Sequence, residues 1–140
     1  MALEMDKAAL AAFLAAKFPQ VAGEFAVEAA DEEGVALRLI VGERHLRPGG
    51  TVSGPAIFGL ADVAVYLLIL SRIGPVALAV TTSCSLDFLR KPAAGVDLIC
   101  RTRLLKLGRS LAVGDALLFS EGGAEPVARA TLTYSIPPKR

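Results

Sequence analysis

The sequence predicts an α+β fold in which one antiparallel β-sheet wraps around a single long central helix. A length of 140 residues suits one domain, and a 54% hydrophobic content can fill its core. Most strand-like segments follow one another directly, whereas a parallel sheet needs strands and helices to alternate. The one helix between them is apolar nearly all round, so it must be surrounded by other structure.

An extra N-terminal helix and a β-hairpin are predicted before the central helix. The first helix covers about residues 6–18 and ends before Pro19. Its apolar side chains recur at helical spacing: Leu10, Phe13 and Leu14. Two strands follow, Glu24–Ala30 and Val35–Val41, on either side of a polar turn that ends in glycine.

A glycine-rich loop leads into the central helix, which is predicted over about residues 55–72. Proline at position 55 suits the start of a helix, and Gly74 and Pro75 end it. Four long strands with short connections should then complete the sheet: Val76–Leu89, Val96–Leu107, Ser110–Phe119 and Val127–Ile136. The whole chain, residues 1–140, is therefore predicted to be one domain.

Composition argues against several classes of protein. A net charge of +1 gives no general field for nucleic acid or an anionic membrane. The most apolar run, Ala56–Leu70, contains Asp62 and is shorter than the roughly 20 apolar residues that a membrane span needs. One histidine and two distant cysteines supply neither a metal site nor a disulfide framework. The first residues lack the basic-then-apolar pattern of a signal peptide, so a reduced, cytoplasmic protein is expected.

Asp62 stands out because a carboxylate inside an apolar helix is costly unless it is hydrogen-bonded or reaches a cleft. In one interpretation Asp62 has a structural role, as the cap of a neighbouring backbone segment or as a subunit contact. In the other it lies in a pocket and acts as a base or nucleophile. Gly54, at the helix start, has an N–H that can polarise a carbonyl oxygen. Eight residues separate the two, about 12 Å along a helix. Either the first residues bend back, or the two groups come from different subunits.

Three segments carry a resemblance to a known family. Residues 54–62, with Leu60, Ala61 and Asp62 after Gly54, resemble the helix start of the PaaI-type hotdog-fold acyl-CoA thioesterases. Residues 81–92 are similar to a family strand that ends in a Phe-Leu-Arg-x-Pro turn, and residues 106–110 are similar to a later hairpin.

The resemblance implies a hotdog fold and hydrolysis of an acyl-CoA thioester. Asp62 would attack the thioester carbonyl or activate a water, and the Gly54 N–H of the opposite subunit would bind the carbonyl oxygen. It also implies a homodimer or homotetramer with sites at the subunit interface. Coenzyme A would enter only as part of the substrate, with no metal or other cofactor.

The resemblance further suggests a set of substrate-binding residues: Arg47, Ser53, Thr82, Ser83, Arg90, Lys91, Gly108 and Arg109. The family's Asn falls on Arg47, its His on Ser53 and its second Gly on Pro55, so the match is incomplete here. Ser53 equally suits the N-cap of the helix. The cations and hydroxyls equally suit solvated turns and cross-strand hydrogen bonds.

Two other functions remain open on the sequence. His45 lies in the glycine-rich loop, and hotdog dehydratases use a histidine together with an acidic helix residue. Their spacing from glycine to acid is five residues, however, whereas Gly54 and Asp62 are eight apart. The substitutions at Arg47 and Ser53 also allow a non-catalytic acyl-CoA binding protein.

Overall fold

Six β-strands form one antiparallel sheet in the computed structural model, which describes residues 3–138. The helices are α1 (Lys7–Lys17), α2 (Pro19–Ala22) and α3 (Gly54–Ile73). The strands are β1 (Phe25–Ala30), β2 (Val35–Leu39), β3 (Val80–Phe88), β4 (Leu98–Leu107), β5 (Leu111–Ser120) and β6 (Ala128–Ser135). The strand order in the sheet is β1-β2-β4-β5-β6-β3, so β3 lies at an edge. This is the predicted architecture, with one long helix against all six strands.

The predicted element bounds agree with the structure to within two residues, except at the start of β3. The strand predicted from Val76 begins only at Val80, because the Ala79 N–H donates to the Val76 carbonyl in a turn, at 3.1 Å. The one-turn helix α2 and a 3-10 turn over Glu43–His45 were not predicted. Both are single turns, too short to show a hydrophobic period.

Local signals set the ends of the two longer helices. Asp6 caps α1 by accepting from the Ala9 N–H at 2.9 Å. Ser53 caps α3 by accepting from the Ala56 N–H at 3.4 Å, which is the N-cap role predicted as one of its two alternatives. Helix α3 ends at Gly74, whose φ of 93° lies in the left-handed region that favours glycine.

Helix α3 fills the core because nearly all of its residues from Leu60 onward are buried. Gly114 on β5 permits the helix to lie close to the sheet. A β-carbon at that position would lie 2.8 Å from Val65 Cγ1 and 3.0 Å from Leu68 Cδ2. The first turns are less enclosed, and Phe58 is 38% exposed. The helix is therefore covered by the sheet along most of its length and open near its N-terminus.

The length argument against a membrane span was wrong. Helix α3 has 20 residues and is long and apolar enough to cross a membrane by length and composition. However, 72% of its most apolar window is buried inside the fold, as expected for the core helix of a globular domain.

Cys84 and Cys100 are both free thiols. The cytoplasmic location stays a prediction.

Candidate active site

Asp62 lies in the third turn of α3, half-buried, and two hydroxyl groups bind one of its oxygens. Thr81 Oγ1 on β3 donates to Asp62 Oδ1 at 2.5 Å, and the Tyr134 hydroxyl on β6 donates to the same atom at 2.8 Å. Among residues 3–138, no hydrogen bond falls on Asp62 Oδ2. The carboxylate is therefore oriented through Oδ1, and Oδ2 is left without a hydrogen-bond donor among the described residues.

Tyr134 is well suited to remain a donor. The residue is 3% exposed, and its hydroxyl also lies 2.8 Å from the backbone oxygen of Asp62. Burial raises the pKa of this phenol well above its usual value, and the negative charge of Asp62 raises it further. The hydroxyl therefore stays protonated at any working pH and can donate to the carboxylate.

A largely apolar cavity of about 290 Å³ adjoins Asp62. Its lining comes from the end of α1, from α3, from the segment before β3 and from the ends of β3 and β6: Lys17, Phe18, Asp62, Val63, Tyr66, Ala77, Ala79, Val80, Thr81 and Tyr134. Tyr66 stacks on Tyr134 with ring centroids 6.0 Å apart, and Phe18 meets Tyr66 edge-on at 6.4 Å. An aromatic wall thus stands beside the carboxylate.

Gly54 lies in a different cavity, of about 530 Å³, at the start of α3. As the first residue of the helix it has an N–H without an intrahelical partner, and no hydrogen bond between the described residues uses it. A β-carbon on Gly54 would lie 3.2 Å from Phe88 Cζ, so the ring of Phe88 covers this position closely. The helix start therefore offers a positively polarised N–H to the cavity.

Three exposed cations line the same cavity: Arg47, Arg90 and Lys91. Arg90 is partly held in place, since its guanidinium donates to the Pro126 carbonyl and pairs with Glu125 at 3.4 Å. Arg47 sits in a tight turn in which its N–H donates to the Thr51 carbonyl at 2.9 Å. These predicted substrate residues thus lie together with Gly54.

His45 holds the loop that carries this half of the site. The Gly42 N–H donates to His45 Nδ1 at 2.8 Å, so the ring proton is on Nε2, which donates to Glu24 Oε1 at 2.7 Å. The His45 carbonyl in turn accepts from the Ser53 N–H at 2.8 Å. Both ring nitrogens of this buried imidazole are therefore engaged in fixing the loop.

The remaining predicted residues lie apart from these cavities. Gly108 and Arg109 line a third cavity of about 1250 Å³ at the other end of α3, beside Arg72 and Ile136. Thr82 and Ser83 are exposed, and Thr82 Oγ1 donates to the Thr133 carbonyl at 3.3 Å. Within one chain, Gly54 shares a cavity with Arg47, Arg90 and Lys91, but Asp62 does not.

The sequence reasoning missed Tyr134 and Phe18 and did not single out Thr81. Thr81 was covered only by the resemblance of residues 81–92 to a family strand, which gives it no role of its own. Tyr134 had a usable signal, because it continues the inward-facing positions of β6 and a buried tyrosine needs a partner for its hydroxyl. Phe18 had none, since its position depends on how α1 folds back onto α3.

A six-stranded antiparallel sheet wrapped around one long central helix is the hotdog fold. The model of the thioesterase superfamily matches residues 49–127 of this chain, which include α3 and both cavity-lining ends of β3. The chain therefore belongs to the thioesterase superfamily and is a thioester hydrolase. The predicted hotdog fold and the resemblance to the PaaI-type thioesterases are confirmed.

Several known proteins are similar to this chain. A protein of Silicibacter sp. TM1040 named as a thioesterase is 62% identical, with a TM-score of 0.92 over 99% of this chain and 96% of that chain. A variant of the phenylacetic acid degradation protein PaaI from Thermus thermophilus is 28% identical, with a TM-score of 0.73 over 85% of this chain and 99% of that one.

One further likeness bears on the class and another on the fold. A Pseudomonas aeruginosa protein named as an esterase is 38% identical over 104 residues, which are 74% of each chain. A Streptococcus pneumoniae protein named as a thioesterase, solved with coenzyme A, has the same fold. It is 22% identical, with a TM-score of 0.70 over 83% of this chain and 90% of that chain.

Proposed function

We propose that this protein hydrolyses acyl-CoA thioesters, with the Asp62 carboxylate as base or nucleophile and the Gly54 N–H as the donor to the carbonyl oxygen. The observation that carries the proposal is the state of Asp62. Its Oδ1 is held by Thr81 and Tyr134, while its Oδ2 accepts no hydrogen bond from the described residues beside an apolar cavity. A carboxylate oriented in this way is pre-organised for attack or proton transfer.

Asp62 could bring about thioester hydrolysis by either of two routes. As a base, Asp62 takes a proton from water while the water oxygen bonds to the thioester carbon. The C–S bond then breaks, and the departing thiolate takes a proton to give coenzyme A and the free acid. As a nucleophile, Asp62 bonds to that carbon, releases the thiolate and forms an anhydride that water cleaves. In both routes negative charge develops on the carbonyl oxygen, where the Gly54 N–H would stabilise it.

Two chains are needed to assemble this site, since the two groups lie about 12 Å apart along one helix. The β3 edge is unpaired within residues 3–138, because β3 pairs only with β6. Apolar side chains are exposed around it: Phe58, Leu78, Val80 and Phe88. A second copy of the chain against this edge would cover them and bring the Gly54 cavity of one subunit to Asp62 of the other. We therefore propose a homodimer, or a tetramer built from it.

The two cavities are chemically complementary halves of one acyl-CoA site. The cavity at Gly54 carries the cations Arg47, Arg90 and Lys91, which suit the phosphates of coenzyme A. The cavity at Asp62 is mainly apolar and suits the acyl group. The S. pneumoniae protein of similar fold was solved with coenzyme A, which supports the proposal that coenzyme A is also part of the ligand here. The distant Gly108 and Arg109 would have to reach substrate from another position, and their role stays a prediction.

The dehydratase alternative is weakened by His45. A dehydratase needs an imidazole that can exchange protons with substrate, but both nitrogens of His45 are bound, to Gly42 and to Glu24. Dehydratase activity and non-catalytic acyl-CoA binding therefore remain only as alternatives that a thiol-release assay distinguishes from hydrolysis.

The test is release of free thiol from short, medium, long and aromatic acyl-CoA substrates. Asp62→Asn should lower the rate by several orders of magnitude and leave the fold intact. Asp115→Asn is the matched control, because Asp115 pairs with Arg129 outside both cavities and its loss should leave turnover unchanged. Wild-type rates in Asp62→Asn would remove Asp62 from the mechanism. Binding without thiol release, or interconversion of enoyl- and 3-hydroxyacyl-CoA, would replace the proposal by the corresponding alternative.

A further inference from the structure

We infer that the cavity beside Asp62 takes up about ten non-hydrogen atoms of the acyl group, so that compact acyl groups are preferred, and that Phe18 at the end of the N-terminal helix bounds this space. The inference rests on the proposed function, because it assigns the acyl half of that same site. It adds a specificity-determining residue that lies outside residues 49–127, the region matched by the superfamily model.

The polar groups of the cavity are gathered around Asp62. Thr81 and Tyr134 use their hydroxyls on the carboxylate, and the Tyr66 hydroxyl donates to the Ala77 carbonyl at 2.9 Å. Their rings and the apolar side chains form most of the remaining surface, apart from the exposed Lys17. A thioester carbon held at Asp62 therefore has a largely apolar space beside it, and the three hydroxyl groups on its walls are all hydrogen-bonded.

The cavity is open to solvent on one side, and its volume gives the length of acyl chain that the protein surrounds within one subunit. A water molecule takes about 30 Å³ of liquid, so 290 Å³ accommodates about ten non-hydrogen atoms. An octanoyl group has nine such atoms and a benzoyl group has eight, whereas a palmitoyl group has seventeen. The first two fit the cavity, and a palmitoyl chain would leave about half of its length in water.

Phe18 forms the wall of the cavity on the Tyr66 side. Asp62 and Tyr66 are four residues apart, on one face of α3, so the cavity extends from the carboxylate along the helix toward the tyrosine ring. The Phe18 ring meets Tyr66 edge-on there and is itself only half-buried. It is fixed by the end of α1, since the Phe18 N–H donates to the Leu14 carbonyl at 2.9 Å. Removing this ring would extend the cavity.

The experiment measures kcat/KM for thiol release along butanoyl-, hexanoyl-, octanoyl-, dodecanoyl- and palmitoyl-CoA. In the wild type, kcat/KM should rise by up to about fourfold per added methylene while the chain fits, and stop rising beyond octanoyl. Phe18→Ala should raise the ratio of dodecanoyl to octanoyl turnover at least about tenfold, because it removes six carbons from the wall. Ala77→Leu, at an exposed position of the same lining, should move the limit the other way and lower the ratio of octanoyl to butanoyl turnover.

Phe25→Ala is the matched control, because Phe25 is a half-buried phenylalanine on β1, a strand that packs against α1, and it does not line the cavity. It should leave the chain-length profile unchanged. A wild type that prefers palmitoyl-CoA, or a profile that neither Phe18→Ala nor Ala77→Leu moves, would overturn the inference while leaving hydrolysis by Asp62 intact. A wild type that releases no thiol from any of these substrates would instead overturn the proposed function itself.

Discussion

The Tyr134 hydroxyl lies 2.8 Å from both Oδ1 and the backbone oxygen of Asp62. One side chain of β6 therefore positions the carboxylate relative to the turn of α3 that carries it. Thr81 reaches the same Oδ1 from β3, so two strands fix one oxygen of the carboxylate. Hydrogen bonds to a charged group are stronger than those between neutral groups, and here both fall on Oδ1 and leave Oδ2 without a donor among the described residues.

Tyr134→Phe should lower kcat for thioester hydrolysis by about 10- to 100-fold, the effect of losing one hydrogen bond to a charged group of about 1.5–3 kcal/mol. The substitution keeps the ring and its stacking on Tyr66, so the fold should be retained. The measurement is steady-state thiol release, with KM determined separately. Positioning of the reacting carboxylate predicts a change in kcat with little change in KM.

Thr131→Val provides the control for this variant. It removes a hydroxyl from the same strand that also hydrogen-bonds a carboxylate, that of Asp115, outside the site. Its kcat should equal that of the wild type. Equal losses in Tyr134→Phe and Thr131→Val would show that the effect comes from the sheet and not from Asp62.

Most of the fold was predictable because its signals are local or periodic. The all-round apolar helix required a surrounding sheet, and the run of strands without intervening helices required antiparallel pairing. The strand order was not predictable, since β3 pairs with β6 and not with its sequence neighbours. That pairing is decided by packing around α3, which no short segment of sequence records.

The candidate site was predictable only in part. Asp62 was identifiable because a charge within an apolar helix needs a reason, and Gly54 because it starts that helix. The partners of Asp62 come from strands 19 and 72 residues away in sequence, so neither spacing nor periodicity links them to it. The glycine-rich loop showed His45 as a candidate, but its engagement with Glu24 depends on how the loop folds onto β1.

Gly114→Ala should destabilise the fold by about 1–3 kcal/mol, the usual cost of inserting a methyl group into a packed core. The new β-carbon would lie 2.8 Å from Val65 and 3.0 Å from Leu68, so α3 must move away from β5. Urea unfolding measures the change. Gly23→Ala is the control, since no atom lies within 4 Å of its added β-carbon and its φ of −70° suits alanine. A midpoint of Gly114→Ala equal to that of the wild type would contradict the close approach.

The two thiols should react slowly with a thiol reagent in the native protein. Burial raises the pKa of Cys100, and burial together with the charge of Asp62 raises that of Cys84, an effect that Arg129 partly offsets. The thiolate is the reactive form, so a raised pKa means less reaction at about pH 8 and more as the pH is increased above about 9. Titration with a disulfide reagent should find well under two thiols per native chain at the lower pH and both after unfolding. Rapid reaction of two thiols in the native protein would contradict this burial.

The proposal that Asp62 and Gly54 act from different subunits predicts complementation between two inactive variants. Asp62→Asn removes the carboxylate, and Gly54→Pro removes the N–H. The backbone before this position accepts proline, because Ser53 has φ −75° and ψ 157°, the extended conformation that a residue preceding proline adopts. The added ring would press on Phe88, whose side chain is exposed and must turn aside. In a heterodimer of these variants, one of the two equivalent sites combines an intact Asp62 with an intact Gly54 from the other chain.

Co-expression with two different tags and tandem purification isolates that heterodimer. Its thiol-release activity should be about half that of the wild-type dimer, since one of two sites is restored, while each variant alone stays inactive. Asp62→Asn carrying both tags is the control and should remain inactive, because neither of its sites regains a carboxylate. An inactive heterodimer whose thermal unfolding matches the wild type would mean that Asp62 and Gly54 act within one chain. The first turn of α3 would then have to unwind to close the gap of about 12 Å between them, and the dimer would lose its role in catalysis.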